Sequence, residues 1–245
     1  MPTTTLSELV DELLSGTRPL PILSAGVPVL RRPALPYEGQ LAADQLDRLL
    51  AAMREAMHSA PGVGLAAPQI GVPLRLAVIE DPAEVTAEVR EARGRVPQPY
   101  RVLVNPRYEP VGDGRAAFFE GCLSIPGWQA VVSRPDRIRL RGQDETGREL
   151  DEEFTGWPAR IVQHETDHLD GVLYLDLAET RSLSSAEAVG DYWSQPTPAT
   201  AAHALGFPLP STTGTTGTAG TAGTTGPAGT TGTTDDSGGT GATAP

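Results

Sequence analysis

Two imidazoles stand four residues apart in Gln163-His164-Glu165-Thr166-Asp167-His168, with a carboxylate directly after the first. The surrounding pattern reads as helix. On a helix, positions i and i+4 share one face, so His164 and His168 can reach one divalent ion while Glu165 stands beside the ion's open position as a general base. The same residues also fit the solvated face of an acidic helix, and a third ligand decides between the two. In one zinc-protease pattern a glycine and then a third histidine follow; Gly171 falls in place, but the last position is Tyr174. In another the third ligand is a downstream glutamate, and the nearest, Glu187, sits in a Ser/Ala-rich stretch with little apolar pattern to fix it. The chain's single cysteine is the better third donor. Cys122 lies in Glu120-Gly121-Cys122-Leu123-Ser124, and one thiolate, two imidazoles and an open position make a catalytic metal site. Taken alone, a lone cysteine reads as a small buried hydrophobe.

The elements that would position these groups are legible in outline. A helix over about 158–168 carries the histidines and stops near Gly171. On it Trp157, Ile161, His164 and His168 fall at i, i+4, i+7 and i+11 and share a face, so Trp157 and Ile161 would floor a pocket beside the ion. Strands are expected over 74–79, 102–104, 130–141 with a bend at Pro135, and 148–154, with a turn at 144–147. Gly62-Val63-Gly64-Leu65-Ala66-Ala67 also fits a loose dinucleotide-binding fingerprint, which requires a strand before it. Here Leu46, Leu49, Leu50, Met53 and Met57 recur at helical spacing instead, so nucleotide binding is rejected. A loop is expected in which Gly62 and Gly64 allow positive φ and the close approach of a ligand backbone. Residues 1–17 read as a helical extension with Leu6, Val10, Leu13 and Leu14 on one face. From 196 the chain is poor in large apolar residues, and from 211 it is a Thr/Gly/Ala tract. Residues 196–245 are therefore expected to be a disordered tail, which leaves 18–195 as the catalytic metallohydrolase domain.

Composition excludes several chemistries. All 19 basic residues are arginine, so Schiff-base, pyridoxal phosphate and Walker-lysine mechanisms have no lysine to use. A formal charge of −12 argues against stable nucleic-acid binding, and the alternating Arg137, Arg139 and Arg141 read as the wet face of a strand. One cysteine permits no internal disulfide, which fits a reducing cytoplasm. No apolar run approaches a membrane span, and no secretory leader is visible at the N-terminus.

Three motifs together resemble the peptide deformylases, metalloenzymes that remove the formyl group from nascent N-formylmethionyl chains. Gly62-Val63-Gly64-Leu65-Ala66-Ala67-Pro68-Gln69 is similar to the family's first motif, Glu120-Gly121-Cys122-Leu123-Ser124 to its second, and the segment from Gln163 through Gly171 to its third. The likeness covers about 18–177, through Pro28-Val29-Leu30-Arg31 and Asn105-Pro106 as well. It implies a single α+β domain of the peptide deformylase kind, with mostly antiparallel strands packed around a central metal-binding helix. It implies one divalent metal ion, Fe(II) with Zn(II) or Ni(II) as replacements, held by Cys122, His164 and His168. Glu165 is then the base, Gln69 and the backbone N–H of Leu123 meet the developing oxyanion, and Val63, Gly64 and Gly121 hold the substrate backbone. Glu120 and Arg134 match a family pair with a structural look, and Gln129 falls where the family varies. Implied partners are N-formylmethionyl peptides of nascent chains, with transient contact to the ribosome. The competing readings are a metal-dependent endopeptidase and a non-catalytic metal-binding relative, against which the presence of Glu165, Gln69 and all three ligands speaks.

Overall fold

The computed structural model describes residues 5–210. In chain order its helices and strands are α1 (Leu6–Ser15), α2 (Ala43–Ser59), β1 (Gly64–Ala66), β2 (Leu76–Asp81), α3 (Ala87–Arg93), β3 (Gln98–Pro110), β4 (Arg115–Cys122), β5 (Ile125–Pro135), β6 (Arg137–Gln143), β7 (Glu149–Thr155), α4 (Gly156–Leu169), α5 (Tyr174–Leu177), β8 (Ser184–Ser185), α6 (Ala186–Tyr192) and α7 (Ala199–Leu205). Strands β1-β2-β3-β6-β7 form one sheet and β4-β5-β8 another, antiparallel throughout.

Side-chain alternation sets the layering. Leu76 and Val78 on β2, with Val102 and Val104 on β3, join Leu49, Met53 and Met57 of α2 in one apolar cluster. Ala77, Ile79 and Leu103 point the other way and join Ile161, Val162 and Leu169 of α4, together with Ile138, Leu140, Leu150 and Phe154. The five-stranded sheet is thus covered on both faces, which is why its central strands read as continuous apolar runs. On its other flank α4 reaches the small sheet: Arg160 donates to Val132 O at 3.0 Å and Ala116 O at 2.6 Å, and Gln163 Nε2 to Pro135 O at 3.0 Å. The helix that carries His164 and His168 is therefore central, in an α+β fold as expected. It stops at Gly171, whose φ of 76° is left-handed and whose missing Cβ would lie 2.8 Å from the Arg31 carbonyl carbon.

Two sequence expectations need correction. The strand expected over 130–141 is two strands in different sheets. Pro135 has no N–H to continue a ladder; β5 ends there on Arg115, the chain turns at Asp136, and β6 begins at Arg137 to pair with β3 and β7. Arg137 and Arg139 do lie on a wet face, paired with Glu153 and Asp151. The boundary expected at 196 also falls inside folded structure. Helix α7 and the turn after it bury Ala201, Ala202 and Phe207 against Phe119 and Val131, and Arg181 Nε donates to Leu205 O at 2.8 Å. The helix was missed because small residues carry its contact face. At the other end, α1 buries Val10 in the same cluster as α2, and Ser7 and Gln45 exchange hydrogen bonds of 3.1 and 2.8 Å. The Thr/Gly/Ala tract from 211 lies outside the described residues. A chain ended after Gln195 should lose about 2–4 kcal/mol in urea unfolding, the scale for uncovering one aromatic and two small side chains. One ended after Pro210 should melt with the full chain. A midpoint unchanged by the longer deletion would mean that α7 adds nothing.

Candidate metal centre

His164 and His168 stand one turn apart on the buried face of α4, with ring centres 5.1 Å apart. Strand β4 delivers Cys122 at its end, after a register shift between Gly121 and Cys122. Cys122 Sγ lies 3.2 Å from His168 Nε2, and the three donor atoms all lie within 4.8 Å of one another. Three donors so spaced can share one ion at the roughly 2.0–2.3 Å bond lengths of imidazole and thiolate. The electrostatics agree. Burial, then the charges of His164 and Arg134, holds His168 well below the ordinary histidine range, so it is neutral and able to donate a lone pair. His164 is the opposite case: burial works against its charge, but the contacts with Cys122 and Glu120 outweigh it and hold its pKa well above the ordinary range. That corner of the site favours a positive charge, and a cation on the thiolate and imidazoles supplies one. His168 Nδ1 is buried with no partner among the described residues.

One buried carboxylate orients the first ligand. Glu120 Oε2 meets His164 Nδ1 at 3.1 Å, which leaves Nε2 for a metal. The same carboxylate accepts two bonds from Arg134, at 2.7 and 3.0 Å, and one from Arg160. Arg134 also donates to Asp167, at 2.6 Å, whose other oxygen accepts from Tyr108 at 2.9 Å. Burial raises the Glu120 pKa, but Arg134, the His164 bond and Arg160 together outweigh it and hold the group well below the carboxylate range.

Glu165 is placed by the first motif. An ideal Cβ on Gly64 would stand 2.2 Å from Glu165 Oε1, so only glycine lets the carboxylate occupy this position. Neither Gly62 nor Gly64 has positive φ, which corrects the sequence expectation. The glycine is needed for close approach, and the group approaching is Glu165. Its Oε2 is buried without a partner, and burial pushes its pKa up to about 7, against the opposing pull of His164 and Arg134. Gln69, in a short 3-10 turn (Ala67–Ile70), accepts the Ala66 N–H at 2.8 Å through Oε1. That bond fixes the amide's orientation. Its Nε2 therefore turns to the site, 3.2 Å from Ser124 Oγ and 3.7 Å from Cys122 Sγ.

This constellation recurs in known proteins. A sequence model of the polypeptide deformylase family matches residues 19–183. The chain belongs to that family. It is 69% identical over 205 residues to peptide deformylase 1 of Streptomyces coelicolor, covering 84% of this chain and 94% of the relative. Among solved structures it resembles the peptide deformylase of Synechococcus elongatus in complex with actinonin, at TM-score 0.58 and 33% identity, over 79% of this chain and 91% of that one. It also resembles a class I type b peptide deformylase of Acinetobacter baumannii bound to Met-Ala-Ser, at TM-score 0.58 and 31% identity, over 64% and 97%.

In this deformylase chain, every residue that the sequence assigns to the site except His168 borders one cleft of about 660 Å³. His168 lies behind it, 1% exposed. Ile161 is 3% exposed and also belongs to the core beneath, while Trp157 is half-buried on the cleft wall. Sequence reasoning set Glu120 aside as structural and passed over Arg160 and Ser124. Arg160 had a signal. It stands four residues before His164 on the same helical face, beside the apolar Trp157 and Ile161, where an arginine turned inward asks for an acidic partner.

Proposed function

We propose that the chain hydrolyses the formamide of N-formylmethionyl peptides of nascent chains, releasing formate and a free α-amine. The observation that carries this is the convergence of Cys122, His164 and His168 on one point of a cleft that Glu165 and Gln69 also border. When bound there, a divalent ion supplies the Lewis acidity that makes water nucleophilic near neutral pH. We take it to be Fe(II), with Zn(II) and Ni(II) suited to the same donors. Glu165 takes the proton from the attacking water and later delivers it to the departing amine. The Gln69 amide, held by Ala66, and the N–H of Leu123 in the turn between β4 and β5 face the oxygen as charge develops. Val63, Gly64 and Gly121 hold the peptide backbone. The single free cysteine suits a reducing cytoplasm, with transient ribosome contact where the substrates emerge. Among the described residues no helix is long and apolar enough to cross a membrane.

The test is anaerobic purification with elemental analysis, followed by assay on formyl-Met-Ala-Ser. One metal per chain with stoichiometric formate is expected; cleavage of an internal peptide bond without formate would favour an endopeptidase. Trp157 and Ile161 floor the side-chain pocket in this reading. Burial of methionine there favours formyl-Met over formyl-Gly peptides by about 1.5–3 kcal/mol, roughly ten- to a hundredfold or slightly more in kcat/KM. Ile161→Ala narrows that ratio with metal content unchanged. Equal rates on both peptides in the wild type would leave the pocket without a role.

A further inference from the structure

Three arginines crowd one wall of the cleft. The guanidinium carbons of Arg93, Arg95 and Arg160 lie 5.2, 5.3 and 5.8 Å from the centre of the Trp157 ring. Arg93 also lies 5.5 Å from the centre of Phe118, the neighbour that packs edge-on against Trp157. Their partners differ. Arg95 forks onto Asp81 with bonds of 2.8 and 2.9 Å. Arg160 is held by Glu120 and two backbone carbonyls. Arg93 donates only through Nε, to Pro196 O at 3.2 Å, and among the described residues no carboxylate pairs with it and no acceptor meets its two terminal nitrogens.

This is an unusual place to leave a cation uncompensated. Arg93 is half-buried, and burial followed by the charges of Arg95 and Arg160 pulls its pKa down, so its surroundings disfavour its charge. The Phe118 and Trp157 rings lie near the guanidinium but do not neutralise it. The chain carries a net charge of −12, yet among the described residues no acidic side chain pairs with this one. Arg93 borders the same cleft as Cys122, Glu165 and Trp157. A forked donor beside a site that takes formylated peptides matches the geometry of a carboxylate.

We propose that Arg93 forms a carboxylate subsite of the cleft, taking an aspartate or glutamate side chain of the substrate just downstream of the formylated methionine. The proposal rests on the deformylase reading, in which Trp157 and Ile161 take the methionine. An extended peptide advances about 3.3 Å per residue, so the one or two residues after the methionine lie within about 7 Å of it along the chain. A short test peptide brings a second carboxylate of the same chemistry at its own C-terminus. Amidated peptides remove that source.

The experiment measures kcat/KM for metal-loaded enzyme on formyl-Met-Asp-Ser-amide against formyl-Met-Asn-Ser-amide, and on formyl-Met-Ala-Asp-amide against formyl-Met-Ala-Asn-amide. In the wild type one of these acid-to-amide ratios should be roughly three- to tenfold, the scale of a partly desolvated ion pair, and should fall towards unity at high salt. Arg93→Gln should bring the ratio to about one at low salt, and Arg93→Glu should bring it below one. Wild-type ratios at or below one at both positions overturn the subsite, as does a preference that survives Arg93→Gln unchanged. If a variant folds poorly, the wild-type ratios and their salt dependence still decide. Formate released from every peptide with no acid preference removes the subsite alone, whereas formate from none removes the deformylase reading and the subsite together.

Discussion

Glu165→Gln should leave the metal centre loaded and lower kcat by roughly two to four orders of magnitude, the scale for losing a general base. The two side chains have the same shape, so the contact with the bare backbone of Gly64 survives and no cavity opens. Cys122, His164 and His168 are untouched, and Glu120 still orients His164. Only the capacity to take and return a proton is gone. Elemental analysis of the variant, set beside its kcat on formyl-Met-Ala-Ser, separates this outcome from misfolding. More than a tenth of the wild-type kcat in a fully loaded variant would mean that the proton goes elsewhere.

The parts of this site that could be read from the sequence are those in which chemistry and spacing coincide. His164 and His168 are separated by one helical turn, and α4 places them on one buried face as that spacing demands. Cys122 was harder, because it comes from another sheet and nothing local ties it to the helix; its place depended on the likeness of three motifs taken together. What stayed hidden was what surrounds the ligands. The sequence suggests positive φ and the approach of a ligand backbone at Gly64, but the glycine makes room for Glu165, and no rule of local sequence names the group that needs the space. The apparent disorder from 196 failed for a similar reason. Ala201 and Ala202 contribute little hydrophobicity as residues, yet they allow α7 to pack closely on Phe119 and Val131. Pro135 did mark a break, but whether a proline bends a strand or sends it to a second sheet depends on which partners wait on either side.

Glu120 is where fold and metal centre meet, and Glu120→Gln should damage both. The carboxylate accepts from Arg134 twice, from Arg160 once and from His164 Nδ1, so every acceptor site is in use. An amide keeps one oxygen and turns an N–H₂ either towards arginine donors that have nothing to accept with or towards His164 Nδ1, which must donate if Nε2 is to ligate. Arg134 retains Asp167, but Arg160 is left with neutral carbonyls alone. Breaking a buried ion pair from one side costs about 3–5 kcal/mol, because the surviving charge remains desolvated. Loss of the group that orients a ligating imidazole weakens metal binding by a further ten- to a hundredfold, roughly. The two effects can be read apart. Urea unfolding of the metal-free variant reports the first, and the rate at which a chelator strips metal from the folded variant at low temperature reports the second. A variant that unfolds early but releases its metal as slowly as the wild type would make Glu120 a structural residue only, and the bond to His164 incidental.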